Sequence, residues 1–278
     1  MAREIPQNVR KWHGTELTLR IPGLLYLIVM IVIPILVIFQ DGLREGISGL
    51  YHQITLPLAS HAIRLTLWTS ALMTAINAVM GLLTAYVLVR YDFPGKRLLN
   101  AIVDLPLAIP TLVTGVMLVM LYGPQGGLGN FLSSEVGLSV IFAPPGIVIA
   151  LLFISFPFVV RNIQPVLQDL DRTQEYAAST LGASPLKTFM KIVMPALVLP
   201  MLSGSLLSFS RAIGEFGAVV IVAGNIPLKT QTAAVYMLGA VESENRLGAS
   251  AVSILLMAIA FVVLLIVNAL QKIWSTPS

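Results

Sequence analysis

The sequence predicts an all-α, polytopic membrane protein with six transmembrane helices, and three observations carry that prediction. Hydrophobic residues make up 56% of the 278 positions and charged residues only 11%, where soluble domains carry about a quarter charged residues. The apolar residues gather in six runs of about 20 residues or more, the length that crosses a hydrocarbon core roughly 30 Å thick. The alternating ten-residue segments of a membrane barrel are missing, and a helix satisfies its own backbone within each run.

The first run, Ile21 to Phe39, follows Arg3, Arg10, Lys11 and Arg20 and so resembles a signal peptide. It exceeds the roughly 7 to 15 apolar residues of a signal core, and no small-residue cleavage site follows. It is therefore read as an uncleaved first span behind a cytoplasmic N-terminal segment, residues 1–20. The remaining runs are Leu65 to Val89, Leu98 to Tyr122, Ile141 to Val160, Ile192 to Val222 and Leu247 to Gln271, which set a membrane domain over 21–272. Pro106 and Pro110 interrupt the third run and Pro157 the fourth; prolines of this kind serve either a gate or a packing kink.

The connections differ in character. Gly123 to Pro145 is rich in glycine and proline and reads as an external loop. Gly224 to Asn245 holds an apolar piece, Ala233 to Val241, that is too short to span; it reads as an external helix on the membrane surface or against a partner. The stretch from about 161 to 191 is the long cytoplasmic connection.

Lysines and arginines set the orientation, because positive loops stay in the cytoplasm. Most fall on one side, at the N-terminal segment, around Arg90, Lys96 and Arg97, over Arg161 to Lys191, and at Lys272; the other side holds Arg44, Arg64, Lys229 and Arg246. Both termini are predicted cytoplasmic. The net charge of +4 thus reflects topology, and no basic face with aromatic platforms indicates nucleic acid. The chain contains no cysteine and three histidines, His13, His52 and His61, all outside the runs, so thiolate chemistry is excluded and neither a metal site nor a catalytic site is expected.

Within the cytoplasmic connection the sequence reads QEYAASTLGASPLKTFMKIVMPALVLP from Gln174 to Pro200. Ala178 and Gly182 are four apart and would leave a small, flat surface on one helix face. Ser184 and Pro185 mark a helix start. Two short helices joined by a glycine turn are predicted, serving as a protein contact or as an amphipathic loop on lipid headgroups. The segment resembles the coupling loop of ABC-importer permeases, E-A-A, three residues, G, nine residues, I-x-L-P, with matches at Ala177, Ala178, Gly182, Ile192 and Pro195. Tyr176 stands where that family has glutamate, Glu175 lies one position early, and Met194 replaces leucine.

The resemblance extends from about His61 to the C-terminus. VRYDFPGKRLLNAIVDLPLAIPTLVTGVML, SFPFVVRNIQPVLQDL and SRAIGEFGAVVIVAGNIPLKTQT are similar to the branch that imports sulfate, thiosulfate, molybdate or tungstate. Length, the extra first span and INAVMGLL from Ile76 resemble the T-type permease of sulfate/thiosulfate importers, while molybdate permeases share the Gly214 to Ala218 core. The resemblance implies a type I importer fold, a homologous W-type permease partner, two cytoplasmic ATPase subunits that bind the ATP, and an external sulfate-binding protein. It implies a bacterial plasma membrane, or the inner envelope of a plastid. The chain itself has no G-x-x-x-x-G-K-[ST] loop: Gly95 and Lys96 are followed by Arg97.

Three charges lie within the runs: Asp104, Arg211 and Glu215. Each costs roughly 2.5 to 3.5 kcal/mol at a helix centre and should face protein or water. Arg211 and Glu215, four apart, form either a structural ion pair or a pathway arginine held by a carboxylate. Gly214 and Gly217 beside them suit a close backbone approach at the centre of a dimer. Thr111, Thr114, Ser155 and Ser208 are weak-binding groups of the kind a pathway needs. A channel or secondary transporter would share the embedded charge but not the coupling loop.

Overall fold

The computed structural model describes residues 13–275, with side chains over 20–272. Residues 1–12 of the predicted N-terminal segment, with Arg3, Arg10 and Lys11, lie outside the described residues. Every regular element among the described residues is helical.

Helices α1 (His13–Leu27) and α2 (Ile33–Gly42) are halves of the first span, joined by a π turn at Ile28–Val32. Pro34 explains the turn, because its ring lacks an N–H and collides with the carbonyl four residues back. From Arg20 the span is exposed through Pro34; Ile35, Ile38 and Asp41 are half-buried and Gly42 is buried against the last helix. A Cβ at Gly42 would stand 3.3 Å from the Ser250 backbone. After α3 (Gly46–Thr55), α4 (Pro57–Arg90) runs 34 residues, about 50 Å, and so overshoots the predicted second span on the external side.

The third predicted span is not one straight helix. It consists of α5 (Lys96–Ala108) and α6 (Thr111–Tyr122), bent by 111°. Pro110 disfavours the helical region for Ile109, which is extended at φ −85° and ψ 128°, so the helix stops at Ala108. The predicted external loop contains a short helix, α7 (Gly127–Glu135), and α8 (Pro144–Asp169) runs unbroken through Pro157 and Pro165.

The connection predicted to be cytoplasmic is shorter than 161–191, since α8 continues to Asp169. It comprises α9 (Thr173–Thr180) and α10 (Pro185–Thr188), which passes through a π turn at Phe189–Val193, again just ahead of a proline, Pro195, into α11 (Met194–Ile213). The fifth predicted span, Ile192 to Val222, overran its helix: the chain breaks at Gly214 and resumes as α12 (Gly217–Ala223). Next, α13 (Ala233–Glu242) is the predicted external helix, and α14 (Arg246–Ser275) is the last span. Contrary to the expectation of a surface or partner position, Ala233, Tyr236 and Ala240 of α13 pack on Ala59, Ala62, Ile63 and Val252 of α4 and α14. Among the described residues five helices are long and apolar enough to cross a membrane, and the pair α5–α6, bent by 111°, is either a broken sixth span or a re-entrant loop.

The core lies between α4, α8 and α11. Its inner half packs Leu82, Ala85 and Leu88 against Val159, Ile163, Leu167, Val193 and Leu197; its outer half packs Met73 against Ile147, Leu151 and Val219. Ser155 and Ser208 sit inside this core, fully buried, with Ser208 donating to the Ser155 carbonyl at 3.3 Å. Thr114 is likewise buried. These three do not line a path on the surface of the chain, because the helix packing that buries apolar groups buries them as well.

Candidate functional site

Two helix breaks, that between α5 and α6 and that between α11 and α12, meet in the structure. Gly217, at the start of α12, lies so close to the start of α6 that a Cβ would strike the Thr111 side chain, and a Cβ at Gly115 would stand 2.9 Å from the Ala218 carbonyl. The close approach expected of Gly217 is therefore made within the chain, by α6, and not by a dimer partner. Gly214 differs: a Cβ there meets nothing within 4 Å.

Arg211 and Glu215 straddle the α11 break and are paired, Nη1 to Oε2, at 2.6 Å. Their environments are unequal, with the Glu215 side chain 2% exposed and that of Arg211 37%. The other Glu215 oxygen accepts the Ala218 N–H at 3.0 Å, tying the carboxylate to the first turn of α12, where a negative charge is favoured. Glu215 is thus fixed, and Arg211 presents the rest of its guanidinium outward. The arrangement can attract an anion without holding it by an unopposed charge.

Asp104 is remote from that pair. It binds Arg161 side-on, Nε to Oδ1 at 2.7 Å and Nη2 to Oδ2 at 2.5 Å. Sequence reasoning assigned Arg161 to the loop and missed this partner, 57 positions away; the only signal was the polar spacing Arg161, Gln164, Gln168 along what proves to be helix.

In the connection between α8 and α11 the two predicted short helices are present. Gly182 has φ 80° and closes α9 as glycine does at a helix end, with its N–H on the Ser179 carbonyl and that of Ala183 on the Ala178 carbonyl, both at 3.0 Å. Ser184 caps α10 by accepting the Lys187 N–H at 3.4 Å, with Pro185 in the first turn. Ahead of α9, Asp171 accepts the N–H and hydroxyl of Thr173, which hold its carboxyl below the usual range.

Glu175 points into the chain. Its carboxylate meets Arg90, at the end of α4, at 2.5 Å, with the Arg90 side chain 6% and Glu175 17% exposed. Arg90 also donates to the Leu170 carbonyl and Arg172 to the Val89 carbonyl. Tyr176 points out, at 63% exposure, beside exposed Ala177 and near Leu181 (88%) and Leu186 (72%). Ala178 and Ile192 are half-buried, and Pro195 begins α11. The result is an apolar knob pinned to the end of α4 by an ion pair. Arg90, like Arg161, was a partner sequence reasoning did not find.

Residues 77–275 match the family described as "Binding-protein-dependent transport system inner membrane component". The chain belongs to this family. It is therefore a multi-pass transport subunit and not an enzyme, and membership implies a binding protein and ATPase partners. Among curated relatives it is 44% identical over 248 residues to the "Probable sulfate transport system permease protein cysT" of Nephroselmis olivacea, covering 89% of this chain and 87% of the relative. It is 39% identical to the "Sulfate transport system permease protein CysT" of Synechocystis sp., covering 90% and 87%. The fold matches a chain of a bacterial alginate ABC transporter crystallised with its pentasaccharide-bound periplasmic protein, with TM-score 0.77 at 17% identity over 97% of this chain and all of the other. A chain of the MetNI methionine ABC transporter matches at TM-score 0.55 and 17% identity over 77% and 96%. The architecture is that of type I ABC-importer permeases.

Proposed function

We propose that this chain is the T-type transmembrane subunit of an ATP-driven sulfate/thiosulfate importer. The observation that carries the reading is the likeness, at 37 to 44% identity over most of the chain, to proteins named as sulfate permeases. In this reading a binding protein delivers the dianion to the outer face, and it passes the Arg211–Glu215 pair. Neutralisation of Arg211 by fixed Glu215 suits transit, since an ion bound too strongly does not leave.

The α9–α10 knob is the ATPase-coupling site. Support comes from the match of Ala177, Ala178, Gly182, Ile192 and Pro195 to the family loop, and from the exposure of Tyr176, Leu181 and Leu186 in an otherwise polar cytoplasmic setting. Glu175 has the anchoring role, through Arg90. The partners in this reading are a homologous W-type permease, two ATPase subunits that bind the ATP, and a sulfate-binding protein. The membrane is a bacterial plasma membrane, or a plastid inner envelope, with both termini on the ATPase side. Basic residues Arg90, Lys96, Arg97, Lys187 and Lys191 cluster at the helix ends that carry α9 and α10, as cytoplasmic ends do.

Radiolabelled uptake in a strain lacking this chain tests the substrate. High-affinity sulfate uptake should disappear and molybdate uptake should persist; loss of molybdate uptake alone would make the chain a molybdate permease.

A further inference from the structure

Arg161 uses all five of its N–H donors. Nε and one Nη2 proton face the two Asp104 oxygens. The second Nη2 proton goes to the Asn100 carbonyl at 2.8 Å, and Nη1 serves the Asn100 side chain at 2.9 Å and the Gln164 side-chain oxygen. The guanidinium is therefore held on its far edge by α5 and α8, and its Nε–Nη2 edge is offered to one carboxylate.

The pair sits inside the membrane zone and is still exposed. Asp104 lies about two turns in from Lys96 and Arg161 about two turns in from Asp169, roughly 12 Å from the cytoplasmic ends of both helices. Their side chains are 48% and 31% exposed. Half-exposed charges at that depth do not face lipid, so this edge of α5 and α8 faces water or protein. The apolar faces of the same helices, Leu99, Ile102, Phe153 and Phe156, line a separate groove of about 630 Å³.

We propose that Arg161 is a cytoplasmic-side oxyanion site, masked by Asp104, at which the transported dianion replaces the carboxylate on its way out. The inference rests on the importer reading above. A tetrahedral oxyanion offers two oxygens to a guanidinium edge as a carboxylate does. Asn100 and Gln164 keep that edge in place when Asp104 leaves. Exposure decides which pair opens: Asp104 swings into water at little cost in desolvation, whereas buried Glu215, bound to α12, cannot leave Arg211. Asp104 then returns and expels the anion, which prevents trapping.

The test uses the reconstituted full complex, with sulfate as the probe. Asp104→Asn keeps the shape and removes the competing charge. It should lower the maximal uptake rate several-fold, lower the KM, and raise the retention of labelled sulfate by the detergent-solubilised complex without binding protein. Because the chain has no cysteine, Ala101→Cys and Ala108→Cys, at exposed positions one turn either side of Asp104, report access directly. Both should react with a membrane-impermeant anionic thiol reagent from the cytoplasmic side, and sulfate should slow the reaction.

Asp104→Asn complexes with wild-type kinetics and retention, or with only a lowered thermal midpoint, would make the pair a structural clamp and overturn the proposal. So would cysteines that never react. Failure of the sulfate reading looks different: the unmodified complex would then take up no sulfate at all.

Discussion

At the scale of single residues, burial of the acidic partner separates the two embedded arginines. Removing Arg211 strands Glu215, 2% exposed, and stranding a buried charge costs about 3 to 5 kcal/mol when burial is complete. Arg211→Ala is therefore expected to lower the yield of assembled complex, and Arg211→Ala with Glu215→Gln to restore much of it, as read by size-exclusion of the solubilised complex. A single mutant that assembles normally yet fails to transport would assign Arg211 to anion transit alone. This pair was legible in the sequence, since residues four apart share a helix face. It survives although α11 ends between the two residues, because Gly214 continues the turn with φ −97° and ψ 4°. The partners of Asp104 and Glu175 were not legible, since each depends on how separate helices pack.

Elements were legible where composition alone decides them and illegible where geometry does. Apolar length located the spans, and Ser184, Pro185 and Gly182 located the cytoplasmic turn. Pro110 was visible as an interruption, but a 111° bend and a kink look alike in sequence. The α11–α12 break has no proline at all, and its run of apolar residues reads through it. Two predictions belong to this scale. At Gly182 a Cβ meets nothing within 4 Å, and the left-handed backbone costs roughly 1 to 2 kcal/mol for another residue, so Gly182→Asp should fold and insert. The new carboxylate would stand beside Leu181 on the knob, and ATPase co-purification and binding-protein-stimulated hydrolysis should fall; full stimulation with normal uptake would remove α9–α10 from the coupling role.

The second element-scale prediction concerns the pin between α9 and α4. Glu175→Ala leaves Arg90, 6% exposed, without its charge partner. It should loosen α9 from the end of α4 and leave the exposed Tyr176 and Leu181 available to an ATPase. Hydrolysis per complex should then persist while uptake per ATP falls, and exchanging the charges, Arg90→Glu with Glu175→Arg, should recover part of the ratio. Equal loss of both activities would show that the pair supports assembly only.

At the scale of the whole molecule, the surface itself argues that the chain is a part. The first span is exposed from Arg20 through Pro34 and half-buried only at Ile35 and Ile38 up to Gln40, which lipid tolerates. The same surface carries Arg211 beside open space at Gly214 and the half-exposed Asp104–Arg161 edge, which lipid does not tolerate. In the proposed importer, a second membrane subunit sharing an aqueous path would cover both, because each lies on the border between a bent or broken helix and its neighbour. Affinity purification through a tag on this chain is expected to return two different permeases and two ATPase copies, counted by native mass spectrometry. A complex holding this permease twice and no homologue would replace the heterodimer with a symmetric pair.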